Sequence, residues 1–251
     1  MKPSPEEATS SSAYHAGMRK LQDRYDTRRL ADRLDEMLAR TEFTAGDRGF
    51  IESRNMFFLA TADAQGRPDC SYKGGLPGFV RVTGPSELAF PSYDGNGQFR
   101  SLGNVLANPN VGMLFLDFER PNRLRVNGVA SLSADDPLMG EFEGAQLMVR
   151  VRAEKIFPNC PRYLHRMQLV ELSPYAPCDG KTPPIPAWKK YPQFNEVLPK
   201  GDPAKKKSGS GPHFRAPTKF GPDPIHFGRT SLNCGKVFHA GTGGVLPSHG
   251  A

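Results

Sequence analysis

The run SYDGNGQFR, residues 92–100, sets a glycine-rich turn directly before a helical pattern. Such a turn points free backbone N–H groups outward at the start of a helix, where the helix dipole also draws negative charge. Gly95 and Gly97 let the backbone approach a ligand closely, Ser92 and Asn96 add side-chain donors, and Arg100 falls one turn into the helix. Lys73, at the end of an earlier strand, offers a second positive charge. The chemistry this points to is capture of a phosphate of about two negative charges. The same turn also serves simply to join a strand to a helix.

Other residues carry weaker signals. On Arg123–Asn127, alternation puts Arg123, Arg125 and Asn127 on one face of a strand and Leu124 and Val126 on the other. Arg123 could then face a ligand, or the row could equally face solvent. Cys160 precedes Pro161, and proline favours the first helical position, so a helix is expected to open there with Cys160 at its cap. A thiol so placed gains nucleophilicity, with Arg162, His165 and Arg166 nearby, although an inert cysteine is the commoner role. His226, Cys234 and His239 lack the paired spacing of structural zinc sites, so no metal is expected. Only His15 and His165 precede the tail, which leaves a serine–histidine–acid triad few candidates.

The elements that must position these groups are short. Strands are expected at 56–62, 69–72, 79–82, 87–91, 111–118, 123–133 and 147–156, separated by Gly, Pro and Asp turns. That spacing argues for a barrel or sandwich and against βαβ units. One helix interrupts them at 98–107, with Phe99, Leu102, Val105 and Leu106 on one face and Asn108-Pro109 as its stop. Before the strands, apolar residues at three- and four-residue spacing predict an amphipathic helix over 14–40, broken near Thr27. Thr44-Ala-Gly-Asp47 then reads as a capping-box start for a helix to about Arg54.

Taken in order, GRPDCSYKGG (66–75), AFPSYDGNGQFRSLGNVLANPNVGMLF (89–115) and RLRVNGVASL (123–132) resemble the flavin-binding split barrel of the pyridoxamine 5'-phosphate oxidase superfamily, closest to a bacterial subgroup known only as oxidase-like flavin-binding proteins. The resemblance implies a mainly β fold with flanking helices, a six-stranded antiparallel Greek-key split barrel over 44–172. It implies flavin mononucleotide (FMN) held by Ser71, Lys73, Ser92, Gly95, Asn96, Gly97, Gln98, Arg100 and Arg123. A homodimer with the cofactor at the subunit interface follows by the same analogy, as does a small-molecule substrate oxidised or reduced by the flavin. Gly97 and Gln98 stand where the oxidases proper carry an Arg-Lys pair, and Ser71 stands where they carry an arginine. Their substrate-binding arginine and histidine set is also absent around Trp188. A non-catalytic binder of flavin, haem or another ligand, and a reductase using the deazaflavin F420, are the alternatives.

The flanks read differently. Residues 1–13 are polar and expected to be disordered, and 14–43 form the helical extension. Residues 173–204 are proline-rich and read as a strap that Trp188, Tyr191, Phe194 and Leu198 pack on the domain. The stretch 205–251 reads as a basic, disordered Gly/Pro/His-rich tail. Nearly all of the net charge of +7 lies there: seven basic residues and one acid in 205–251 leave 26 basic and 25 acidic before it. A nucleic-acid footprint on the folded part is therefore not expected. Four dispersed cysteines, a polar acidic start and no long apolar run argue against a disulfide scaffold, secretion and a membrane span. A cytoplasmic protein is the expectation.

Overall fold

A computed structural model describes residues 14–178 and 180–205. The expectations for residues 1–13, for the tail beyond 205, and for His226, Cys234 and His239 fall outside the described residues. Contacts divide the chain into two units, Met1–Glu171 and Leu172–Ala251.

The first unit opens with α1 (Ala16–Arg24) and α2 (Arg28–Leu38). The predicted break is real: Asp26 adopts a left-handed φ of 52° between the two. His15 caps α1, its Nδ1 accepting from the backbone N–H of Gly17 and Met18. Neither helix buries a residue completely, so both lie as an appendage held mainly by polar contacts. Lys155 pairs with Asp35, and the Arg40 backbone bridges Ile156.

Next comes α3 (Ala45–Glu52), which carries the full predicted capping box. Thr44 accepts from Asp47 N, and the Asp47 carboxylate accepts from Thr44 N. Asp47 also receives Arg40 Nη2 at 2.7 and 2.8 Å, tying the helix start to the chain entering it. Exchanging such a cap for alanine typically costs about 1 kcal/mol.

Seven strands follow: β1 (Met56–Ala62), β2 (Pro68–Gly74), β3 (Arg81–Val82), β4 (Glu87–Tyr93), β5 (Asn110–Asp117), β6 (Asn122–Ser133) and β7 (Ala145–Pro158), with α4 (Arg100–Ala107) between β4 and β5. They form one antiparallel sheet in the order β2-β1-β5-β6-β7-β4-β3. The count is seven, not six, because the two-residue β3 pairs with β4.

The sheet curls on itself, as its aromatic side chains show. Phe57 of β1 packs edge-on against Phe90 of β4 with ring centroids 4.9 Å apart, although three strands separate β1 from β4 in the sheet. Phe57 also meets Phe115 at 5.2 Å and Phe79 at 5.8 Å. Each such pair adds about 0.5–1.5 kcal/mol beyond area burial. Around them Leu59, Leu88, Met113, Val126, Val149, Val151 and Ile156 fill the barrel interior, and Leu102 and Val105 of α4 cover it. The expected mainly β split barrel with flanking helices is therefore the fold.

One expected element is missing. No helix opens at Pro161; a single turn, Leu164 N to Pro161 O, is followed by irregular chain. Proline at a first position permits a helix, but Tyr163, Met167, Leu169 and Val170 of this stretch stay exposed, so no apolar face is buried to hold one. Cys160 is consequently an exposed thiol in irregular chain and not a helix cap. Cys70 is likewise free and exposed, whereas Cys178 is disulfide-bonded.

In the second unit, a 3-10 turn at Ala187–Lys190 leads into the short α5 (Pro192–Asn195). Trp188 packs edge-on against Phe194 at 5.5 Å and Leu198 is buried. Lys189 and Asp202 form an ion pair at 2.8 Å with side chains 6% and 5% exposed. Among the described residues no helix is long and apolar enough to cross a membrane.

Candidate functional site

Strand alternation decides which residues of β2 can share a site. Asp69, Ser71 and Lys73 pair with Thr61, Leu59 and Phe57 of β1, all three buried, so the β2 residues lie on the interior face. Cys70 and Tyr72 point outward and are exposed. The interior trio meets the start of α4. Ser101, 6% exposed, lies 2.9 Å from Ser71 Oγ and 3.1 Å from Asp69 Oδ2. Ser101 can donate to the carboxylate while the two hydroxyls share the second bond. One turn on, Asn104 Nδ2 donates to Thr61 Oγ1 at 3.1 Å and fastens α4 to β1.

The chain reaches α4 through the predicted turn. Asn96 Oδ1 accepts from Gln98 N at 3.0 Å, which folds the turn and leaves the Asn96 Nδ2 donors free to point elsewhere. Gly97 has φ +73° and open space where a Cβ would stand, and Gly95 is equally unobstructed. Phe99 then takes a left-handed φ of 48° at the N-cap, a conformation that costs a bulky residue about 1–2 kcal/mol. Among the described residues no side chain caps α4. Its first N–H groups therefore lack the partner that Thr44 supplies to α3. Residues 94–100 are all exposed, Arg100 among them.

Charge near this helix start is mixed. Burial pulls the Lys73 ammonium below its ordinary pKa, with the nearby Asp69 carboxylate opposing in part. Burial also pushes the Tyr93 phenol up to about 12, so the residue after Ser92 stays neutral at pH 7. An uncapped N-terminus, a half-buried lysine, two hydroxyls and an open glycine turn are a donor set suited to a phosphate.

The structure brings Ser71 and Lys73 to the same interior face of β2, with Ser71 against the α4 start, and the chain carries Ser92, Gly95, Asn96, Gly97, Gln98 and Arg100 into that start. Arg123 goes elsewhere. It lies on the outer face of β6, since its neighbour Leu124 is buried in the core, and its Nη2 donates to Cys160 O at 2.6 Å. That bond, with Met167 N to Phe118 O, ties residues 159–167 to the β5–β6 hairpin. A shallow cleft of about 460 Å³ beside that hairpin is lined by Glu119, Arg166, Met167 and Gln168, none of them a residue of α4 or its turn.

Two participants escaped sequence reading, Asp69 and Ser101. Ser101 sits inside a helical run and Asp69 at a strand start, where their types signal nothing; only the packing of α4 on β2 joins them. Among the described residues no cluster of His, Cys, Asp and Glu could hold a metal ion.

A sequence profile of the pyridoxamine 5'-phosphate oxidase family matches residues 43–175. No curated protein matches the chain. Among solved structures, HupZ from Group A Streptococcus is 21% identical, with 46% of this chain and 93% of that chain covered and a TM-score of 0.38. The heme storage protein HutZ from Vibrio cholerae is 23% identical over 47% of this chain and 92% of its own, with a TM-score of 0.33. An FMN-binding protein from Syntrophomonas wolfei is 13% identical over 56% and 97%, with a TM-score of 0.34.

Proposed function

Because this chain belongs to the pyridoxamine 5'-phosphate oxidase family, we propose that it is an FMN-dependent oxidoreductase acting on a small organic substrate by hydride or electron transfer. The observation that carries the reading is the uncapped start of α4, held against the interior face of β2 that also bears Lys73. Lys73, Arg100, the free N–H groups of α4 and the hydroxyls of Ser71 and Ser92 would hold the phosphate. Gly95 and Gly97 would let the backbone close on it, and Asn96 Nδ2 would add a donor. When bound, the flavin supplies the redox chemistry itself. The protein need then only bind, orient and exclude water.

A second copy of the chain is the partner this reading calls for. The outer faces of β1 and β2 present Tyr72, 61% exposed, edge-on to Phe58 at 6.1 Å, and a homodimer would cover this apolar area. Size measurement in solution tests it: a single-copy mass would remove the dimer.

One observation favours the non-catalytic alternative. Gly97 and Gln98, in the exposed turn, bring no positive charge to the phosphate, so a non-catalytic binder or store of flavin, haem or another ligand competes with the FMN enzyme; an F420-dependent reductase is a third reading. Absorbance of the purified protein and titration with FMN separate these. Flavin bands that persist through desalting, with bleaching by a reduced nicotinamide, support the oxidoreductase. The double variant Asn96→Asp, Arg100→Glu should lose flavin and keep its fold, because an aspartate can still accept from Gln98 N while two carboxylates face the phosphate. Unchanged retention in that variant refutes the site.

A further inference from the structure

The interior face that would receive the phosphate contains a group of the wrong sign. Asp69 stands on that face with Ser71 and Lys73, and its Oδ2 is 3.1 Å from the hydroxyl of Ser101 in the first turn of α4. A carboxylate thus already lies at the positive end of the helix, where an incoming phosphate would otherwise find the free N–H groups alone.

We propose that Asp69 is a specificity-determining residue, which weakens binding of the phosphate-bearing flavin relative to the same flavin without its phosphate. The inference rests on the flavin reading above and adds to it a charge selection. The positive inventory at the cradle is small: Lys73 is half-buried and its ammonium is disfavoured by burial, Arg100 is exposed to solvent, and Gly97 and Gln98 are neutral. Against these stand the Asp69 carboxylate on the wall and the exposed Asp94 carboxylate of the turn, both of the same sign as a ligand of about two negative charges. Charges at a partly buried wall are screened by salt less than exposed ones, so the repulsion persists at ordinary ionic strength. Riboflavin carries the same ring and ribityl chain without the phosphate and isolates this effect. The Asp69–Ser101 contact also gives the acid a structural task, since it links β2 to α4 in the absence of any ligand.

The test is a comparison of dissociation constants for FMN and riboflavin, by fluorescence quenching at fixed ionic strength, in the full chain, Asp69→Asn and Ser101→Ala. Asp69→Asn keeps an acceptor oxygen for Ser101 and removes the charge. It should tighten FMN by about tenfold or more, the order expected for charges several ångströms apart at a partly buried surface, and leave riboflavin within about threefold by the same reasoning. Ser101→Ala keeps the charge and should preserve the wild-type discrimination. Equal gains for both flavins in Asp69→Asn, no gain for FMN, or an FMN gain matched by Ser101→Ala would overturn the proposal while leaving the flavin reading intact. No binding of either flavin to any of the three proteins would overturn both. Should Asp69→Asn fail to fold, Asp69→Ser, which retains a hydroxyl for Ser101, carries the same expectation.

Discussion

Two glycines on neighbouring strands make opposite predictions for the same substitution. β6 and β7 shift register between Asn127 and Gly128, and at this bulge the backbones close so tightly that a Cβ on Gly128 would stand 2.2 Å from Arg152 O, with Ala153 Cα and Arg152 C at 3.0 Å. All three neighbours are backbone atoms, so no rotamer change relieves the clash. To reach ordinary contact distance, β6 and β7 must separate by about an ångström where their long ladder is continuous. Overpacking of this kind costs typically 1–3 kcal/mol, and with rigid neighbours the upper end, about 3 kcal/mol, is the expectation for Gly128→Ala. In a domain of this size that lowers the melting temperature by about 6–12 °C. Gly112 on β5 is the internal control: its Cβ would meet Ala60 Cβ and Asn127 Oδ1 at 3.7 Å, ordinary van der Waals distance. Gly112→Ala should therefore stay within about 0.5 kcal/mol of the parent. Thermal melts followed by circular dichroism compare the two variants directly. If Gly128→Ala melts within about 2 °C of the parent, the bulge yields freely and the packing argument fails.

Acid should act partly through Asp136. The Arg150 hydrogen bond, ahead of the opposing effect of burial, holds the Asp136 carboxyl below its ordinary pKa. A depressed carboxylate contributes stability that is complete above about pH 3.9 and is lost as pH falls through the folded-state value. Asp136→Asn should flatten the dependence of melting temperature on pH below about 4, and an unchanged slope there would count against this role. In the second unit, Lys189→Met would strand the buried Asp202 carboxylate. Such a break costs about 3–5 kcal/mol, so amide exchange over residues 186–205 should accelerate strongly; unchanged protection would show that the ion pair does not organise this segment.

Much of the barrel was legible because its signals are local. All seven strands appear where alternation and turn residues place them, with ends moved by a few residues, and Thr44 and Asp47 form the capping box their spacing announces. The break between α1 and α2 was visible as a lapse in apolar period before Thr27. Pro161 misled because a favourable first position is only permission, and exposed Tyr163, Met167 and Val170 provide no burial to stabilise a helix. Arg123 was placed on the right strand and in the right facing pattern, yet its outward face carries it to Cys160 O. Whether a strand face looks toward α4 depends on how the sheet curls, which no single strand encodes. For the same reason the Asp69–Ser101 contact was invisible: two residues 32 apart meet only once β2 and α4 are packed.

Sheet order makes folding kinetics and the candidate site one subject. β5, β6 and β7 are a meander of sequence neighbours and can pair early, whereas β1 reaches β5 and β4 reaches β7 across long stretches of chain. Loops that must close before their contacts form delay folding. The turn at 94–99 and α4 run from the β4 flank of the meander to its β5 flank, so their geometry is defined only after both hairpins have docked. Under the proposed function, phosphate capture there would be a late event that clamps the closed barrel. A ligand that binds only this closed form would raise the melting temperature with its concentration and slow unfolding more than it speeds folding.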